Sequence, residues 1–301
     1  MAGPPTVADP TTTVLTEAPD LTRLFARAAL TSRGRGGDLP RTRVVLHGQA
    51  VDPDHLARYA RVCGFALSQR LPVTFLHVLA FPLQVELMAS RAFPLPLAGM
   101  VHVRNEITAH RAVTVDEVLD LRVWASDLRE HRKGALVDLH GEVRVGEEEV
   151  WHGRSTYLAR GRSVPPGGST LPADEDRPLD GLAVPDRASA LVRVPSDEGR
   201  RYAAVSGDVN PIHLTPLAAK AFGFPRAIAH GMWTHARSLA ALEGRVGPRV
   251  RVVAEFAKPV LLPSTVALHT VVDGGAAVVE LRPSRRDGLH VRTTVEPLPG
   301  A

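Results

Sequence analysis

Cysteine is almost missing from this chain, with Cys63 alone among 301 residues. An internal disulfide and a cysteine metal cluster are therefore excluded, and a reducing, cytoplasmic setting is expected. Lysine is nearly as scarce, occurring only as Lys133, Lys220 and Lys258, so arginine supplies most of the 36 basic side chains set against 32 acidic ones. Aromatic residues make up 5% and interleave with no basic run, which argues against a nucleic-acid partner. Scattered arginines still suit a phosphate-bearing cofactor or an acidic carrier protein. No long apolar run occurs: the most apolar span, 71–103, contains Glu86, Arg91 and four prolines, a poor membrane helix. The opening MAGPPTVADPTTTV has neither a positive nor an apolar stretch, so no signal peptide is expected.

Hydrophobic residues, at 44%, are enough for a sizeable core. Residues 161–190 are rich in Pro, Gly, Asp and Ser without apolar periodicity, and read as a linker between two halves of similar size. A repeat relates the halves: Tyr59-Ala60-Arg61-Val62-Cys63-Gly64-Phe65 matches Tyr202-Ala203-Ala204-Val205-Ser206-Gly207-Asp208 at one offset. Each motif leads to a helix-compatible apolar stretch, 82–93 and 231–244, the latter with Gly244 as a C-terminal cap. Alternating β-branched runs follow, at 119–128, 135–145 and 150–159, and again at 249–260, 265–273, 276–283 and 290–297. Alternation with period two predicts half-buried antiparallel strands. One helix and a strand meander, twice over, is an α+β arrangement in which each sheet wraps a central helix. The expected organisation is a disordered start (1–20), a first domain (21–160), the linker (161–190) and a second domain (191–301).

Between helix and strands of the second half lies SGDVNPIH, followed by AFGFPRAIAHGM and FAKPVLLPS. These segments resemble the hydratase 2 motif of the MaoC-like family of hot-dog-fold proteins. The resemblance covers roughly 195–265, and a double hot-dog layout with a degenerate first half covers nearly the whole chain. It implies an (R)-specific enoyl-CoA hydratase or 3-hydroxyacyl-thioester dehydratase of fatty-acyl metabolism. No separate cofactor is implied, because coenzyme A or acyl-carrier pantetheine arrives as part of the substrate.

The chemistry can be argued from the residues themselves. Hydrating a 2-enoyl thioester needs a nucleophilic water at C3, a proton at C2 and stabilised negative charge on the thioester oxygen. A carboxylate and a neutral imidazole can hold one water between them, and Asp208 and His213 are that pair. A continuous helix would set them apart around its axis. Pro211 breaks it, while Gly207 and Asn210 suit a turn that converges the two side chains. The oxyanion donor is expected to be the N–H of Gly231, at the start of a helix where donors are unpaired and the dipole is positive. Ser206 and Asn210 are turn residues and His230 positions the loop. His235 and Arg237 are assigned to a solvated helix face, and Asp208 and His213 have no evident third ligand for a metal.

At the repeat offset Phe65 stands in place of Asp208 and Arg70 in place of His213. A looser register sets Pro82, which lacks an N–H, against Gly231. The apolar segment 75–88 then lines an acyl slot or serves as ordinary core. Two rivals remain: a thioesterase on the same fold, and a non-catalytic acyl-thioester-binding protein. The halves are expected to form an intramolecular pseudo-dimer, with a homodimer possible.

Overall fold

Alternating apolar residues recur in strands throughout, and the resulting sheet is a single one. A computed structural model describes residues 11–30, 34–164 and 182–299. The first half comprises β1 (Thr11–Leu15), α1 (Leu21–Leu30), β2 (Thr42–Gln49), α2 (Pro53–Cys63), α3 (Val73–Ala89), β3 (Met100–Ala109), β4 (Leu119–His131), β5 (Gly134–Val145) and β6 (Glu148–Arg160). The second comprises β7 (Ala190–Val194), α4 (Glu198–Ser206), α5 (Pro211–Leu214), α6 (Pro216–Ala221), α7 (Gly231–Ala240), β8 (Val250–Phe256), β9 (Ser264–Asp273), β10 (Ala276–Pro283) and β11 (Val291–Pro297).

The strand order β1-β2-β4-β5-β6-β3-β8-β11-β10-β9-β7 is symmetric about the β3–β8 pair, apart from the added β1. β3 and β8 each follow the central helix of their half, and they pair antiparallel with Ile107 opposite Val252. The repeat tyrosines Tyr59 and Tyr202 meet with ring centroids 6.3 Å apart, both buried. Equivalent residues touching one another lie on a two-fold axis, so each half supplies the other's partner surface. The two expected sheets are thus joined edge to edge, and neither half leaves its β3 or β8 edge open.

The expected helix at 82–93 instead begins at Val73 and ends at Ala89. Helix α3 has buried residues on every side, so no amphipathic stripe marks its start. Pro82 sits inside it, where its ring removes one helix hydrogen bond without ending a helix held by its surroundings. Helix α7 stops at Ala240, and Gly244 follows in a separate turn at φ 73° instead of capping it. The disordered start expected to residue 20 is also overturned for Thr11–Leu15, which pair in parallel with β2. Of the expected linker, residues 165–181 lie outside the described ones. Its last part is tied to β9 through His269 Nδ1–H donating to the Pro185 carbonyl at 2.9 Å.

Candidate active site

The local sequence turns α4 into the site in three steps. Gly207, at φ 71°, caps α4 by donating its N–H to Ala203 O at 2.8 Å. A β-carbon there would meet the tip of the Leu21 side chain, which can turn aside, so glycine is required by the positive φ. Asp208 N–H then donates to Ser206 Oγ at 3.2 Å, and Asn210 N–H donates to Asp208 Oδ1 at 3.1 Å. Asn210 is the N-cap of α5 with Pro211 in its first turn. The side chains of Asp208, His213 and His230 end with ligand atoms all within 4.8 Å of one another, a gap that one water can bridge.

Hydrogen bonds determine which atoms are free. His213 Nδ1 lies 2.9 Å from Ile228 O; a carbonyl only accepts, so Nδ1 carries the proton and Nε2 keeps its lone pair. His230 Nε2–H in turn donates to the Asp208 carbonyl at 2.9 Å, and its ring stacks on His213 with centroids 3.7 Å apart. Burial pushes the His213 pKa down, opposed by Asp208 and by the Ile228 carbonyl. Burial pushes the Asp208 carboxyl up, opposed by His213 and the Asn210 N–H. The result is a neutral imidazole beside a carboxylate more basic than usual.

His230 supplies the third potential metal ligand that the sequence spacing did not offer. Its ring lies 26° from parallel to that of His213, however, and imidazole lone pairs lie in the ring plane. Stacked rings do not aim two lone pairs at one ion, so the arrangement suits paired protein hydrogen bonds better than tetrahedral ligation.

Gly231 opens α7 behind His230, and its N–H has no partner within the helix. Phe256 covers it, 3.3 Å from where a β-carbon would be, so only the backbone faces a cavity of about 310 Å³. That cavity is built by both halves. Asp208, His213 and Gly231 line one part, and His77, Phe81 and Met88 from α3 line another. Part of the apolar segment 75–88 is therefore cavity wall as well as core.

Some residues that matter carried no sequence signal. Tyr157 on β6 lies close enough to Asp208 for that charge to add to the effect of burial in raising its hydroxyl pKa, and it too lines the cavity. Gly199 on α4 lets the helix approach the His213 backbone, as a β-carbon there would lie 2.0 Å from His213 O. Such contacts join residues distant in sequence, and no motif encodes them.

Three expectations about the site change. Arg70 bridges Thr114 in the same manner as Ile228 bridges Leu261, and Leu71 N–H bonds Val113 O as Ala229 N–H bonds Val260 O. Arg70 therefore corresponds to Ile228, not to His213, and the counterpart of Gly231 is Val73, not Pro82. The first half lacks the whole α5–α6 excursion that carries His213, which a constant offset could not reveal. His235 is fully buried, with Nδ1 3.3 Å from Thr293 Oγ1, so it does not belong to a solvated face, whereas Arg237 is half-buried with its guanidinium beside Gly64.

With this geometry in place, comparison with known proteins is informative. Residues 181–288 match the MaoC like domain. The 3-hydroxyacyl-thioester dehydratase X of Mycobacterium tuberculosis is 39% identical over 91% of this chain and 95% of that protein. The peroxisomal enoyl-CoA hydratase 2 of Arabidopsis thaliana is 30% identical over 62% of each. The crystal structure of HtdX from Mycobacterium tuberculosis superposes with a TM-score of 0.75 at 37% identity, covering 85% of this chain and all of that one. The double hot-dog seen in the strand order is thus shared along nearly the full length, and the chain belongs to the MaoC-like dehydratase family.

Proposed function

We propose that the protein reversibly adds water across the double bond of a trans-2-enoyl thioester to give a 3-hydroxyacyl thioester. The observation that carries this reading is the pair of free acceptors, Asp208 Oδ2 and His213 Nε2, facing one cavity with the Gly231 N–H. A water that donates both hydrogens to two acceptors turns its lone pairs outward, towards C3. Attack forms the C3–O bond and moves the double-bond electrons to C2 and the thioester oxygen. The Gly231 N–H and the positive end of α7 stabilise that charge, and removing one such donor typically costs about 10²–10³ in rate. The proton taken from water by the pair passes to C2, which restores both groups and balances the reaction. Dehydration is the same path in reverse. The family resemblance assigns the (3R) configuration, and coenzyme A or carrier pantetheine is part of the substrate.

The test is loss of enoyl absorbance with crotonyl-CoA and longer trans-2-enoyl-CoAs, with chiral analysis of the product. Asp208→Asn and His213→Ala should each remove most turnover, and the double variant should be little worse because the two hold one water. Release of free thiol without a hydroxyacyl product would instead establish a thioesterase. Normal turnover in either single variant would remove the dyad from the mechanism.

A further inference from the structure

On the outer face of the first half, neighbouring strands bring two imidazoles to one point. Trp124 on β4 stands opposite His140 on β5. His152 on β6 stands opposite Glu142, two residues along β5 from His140. A β-carbon on Gly141, between those two, would lie 3.5 Å from Ala80 of α3. Successive strand side chains alternate in direction, so His140 and Glu142 point away from α3. All four side chains are half-buried, and none lines the catalytic cavity. His140 Nδ1 lies 3.2 Å from His152 Nε2. With ring centroids 5.4 Å apart and planes 12° from parallel, the two imidazoles lie edge to edge, unlike the face-to-face pair of His213 and His230 at 3.7 Å. In-plane lone pairs can then aim into one gap. Two nitrogens bound to one tetrahedral zinc are about 3.3 Å apart, so the spacing already suits a shared metal.

The tautomer is set from behind. Ser126 Oγ–H donates to the Asp127 carboxylate, so the Ser126 oxygen accepts from His140 Nε2–H at 2.8 Å. The His140 lone pair is therefore on Nδ1, where it accepts from His152 Nε2–H. Ligating histidines almost always have their second N–H held by such a partner. The Trp124 ring lies 5.0 Å from His140 and 5.8 Å from His152, within 2° and 13° of parallel, and keeps both imidazoles in plane. Glu142 offers a third donor on the same face. It contacts Arg122 at 3.5 Å and Arg144 at 3.3 Å, both through Oε1. Partly exposed pairs of that length contribute little, so the carboxylate is free to turn to a cation.

We infer that His140 Nδ1, His152 Nε2 and the Glu142 carboxylate bind a divalent transition metal of the zinc or copper class, with water completing its coordination. Binding needs one proton to move and one side chain to turn. His152 passes its proton from Nε2 to Nδ1 through solvent, so both imidazoles stay neutral, and Glu142 leaves its arginines. Two imidazoles with one carboxylate suit zinc, copper or nickel, whereas magnesium and calcium take oxygen donors. The bound metal would clasp β5 to β6 on the face opposite α3. The site is separate from the catalytic cavity and does not depend on the hydratase reading.

The experiment titrates the untagged full chain, stripped with a chelator and dialysed, with Zn²⁺ by calorimetry and with Cu²⁺ by tryptophan fluorescence. Saturable Zn²⁺ binding at one site per chain is expected, with no competition from Mg²⁺. His140→Ala and His152→Ala should each weaken it by about tenfold or more, whereas His213→Ala should leave it unchanged. Ser126→Ala removes no ligand but releases the His140 ring, and should also weaken binding by about tenfold. Cu²⁺ should quench the emission of Trp124, and Trp124→Phe should abolish that quenching while still binding Zn²⁺. Circular dichroism checks the fold of each variant. No saturable binding by the wild type would overturn the inference. So would binding kept in His140→Ala but lost in His213→Ala, or equal affinity in Ser126→Ala. Where a variant does not fold, the wild type decides: quenching of Trp124 by Cu²⁺ supports the site, and unquenched emission at saturating Cu²⁺ overturns it.

Discussion

Gly199→Ala opposes two effects of known sign at one residue. Alanine in place of glycine inside a helix ordinarily stabilises by about 0.5–1 kcal/mol. Here the new methyl would lie 2.0 Å from His213 O and 2.9 Å from His213 C, whereas unstrained contacts begin near ~3.5 Å. Backbone atoms cannot rotate away like a side-chain tip, so α4 and α5 must part by roughly 1 Å or more. Overpacking of this kind costs about 1–3 kcal/mol, which outweighs the propensity gain. On the proposed mechanism the larger consequence is catalytic. His213 is the residue displaced, and a misplacement of about 1 Å in a reacting group can cost ~10²-fold in rate. We expect Gly199→Ala to lower the thermal midpoint by a few degrees and hydration of crotonyl-CoA by about two orders of magnitude. Gly247→Ala, with nothing within 4 Å of the new carbon, is the control and should change neither. A Gly199→Ala protein with a raised midpoint and wild-type turnover would show that α5 is not held against α4 as described.

Three further outcomes are expected. Burial holds the His213 pKa below its ordinary range and the reaction needs the neutral ring, so kcat/KM should persist as pH falls through 6.5 and fail only below it; an acid limb at or above that value would contradict the assignment. Burial takes His77 down to about 4 and His235 to about 3. Unfolded imidazoles take up protons near ~6.5 while the folded ones refuse them, so stability is complete above that pH and is lost as pH falls towards these values. The loss is about 3 kcal/mol for His77. Urea midpoints at pH 7 and 5 should therefore differ, and less so in His77→Gln; an equal difference in that variant would refute the account. Finally, Arg129 and Asp138 form a buried ion pair at 3.1 Å, with Thr156 Oγ1–H also donating to Asp138 at 2.7 Å. Arg129→Ala leaves that carboxylate without its cation and should cost about 3–5 kcal/mol in chemical denaturation, and an unchanged midpoint would refute it.

Most of the strand meander was legible because its chemistry is local. Leu119, Leu121 and Val123 alternate with polar residues on β4, and the same period recurs in β5, β6 and β9–β11, so pattern alone located these strands. Short or irregular strands such as β2, β3 and β7 carried too little alternation to be read, and α3 was misplaced because a helix buried all round has no stripe. The turn that carries Asp208 was equally local: Gly207, Asn210 and Pro211 dictate its conformation through their own φ preferences and side-chain caps. The sequence by itself therefore determined the turn that presents Asp208 and His213 and the family pattern.

What it could not determine is everything that depends on residues distant along the chain. The joining of the sheets through β3 and β8, the meeting of Tyr59 with Tyr202, and the choice of Val73 and Arg70 as counterparts of Gly231 and Ile228 depend on packing about a two-fold axis. The free atom of His213 depends on Ile228, fifteen residues away, whose carbonyl occupies Nδ1. The His213 position depends on the missing side chain of Gly199, and the cavity wall on α3 of the other half. Local propensity acts over a turn or a strand, whereas burial, tautomer and pKa are set by whatever the fold brings within a few ångströms, and only the tertiary structure decides that.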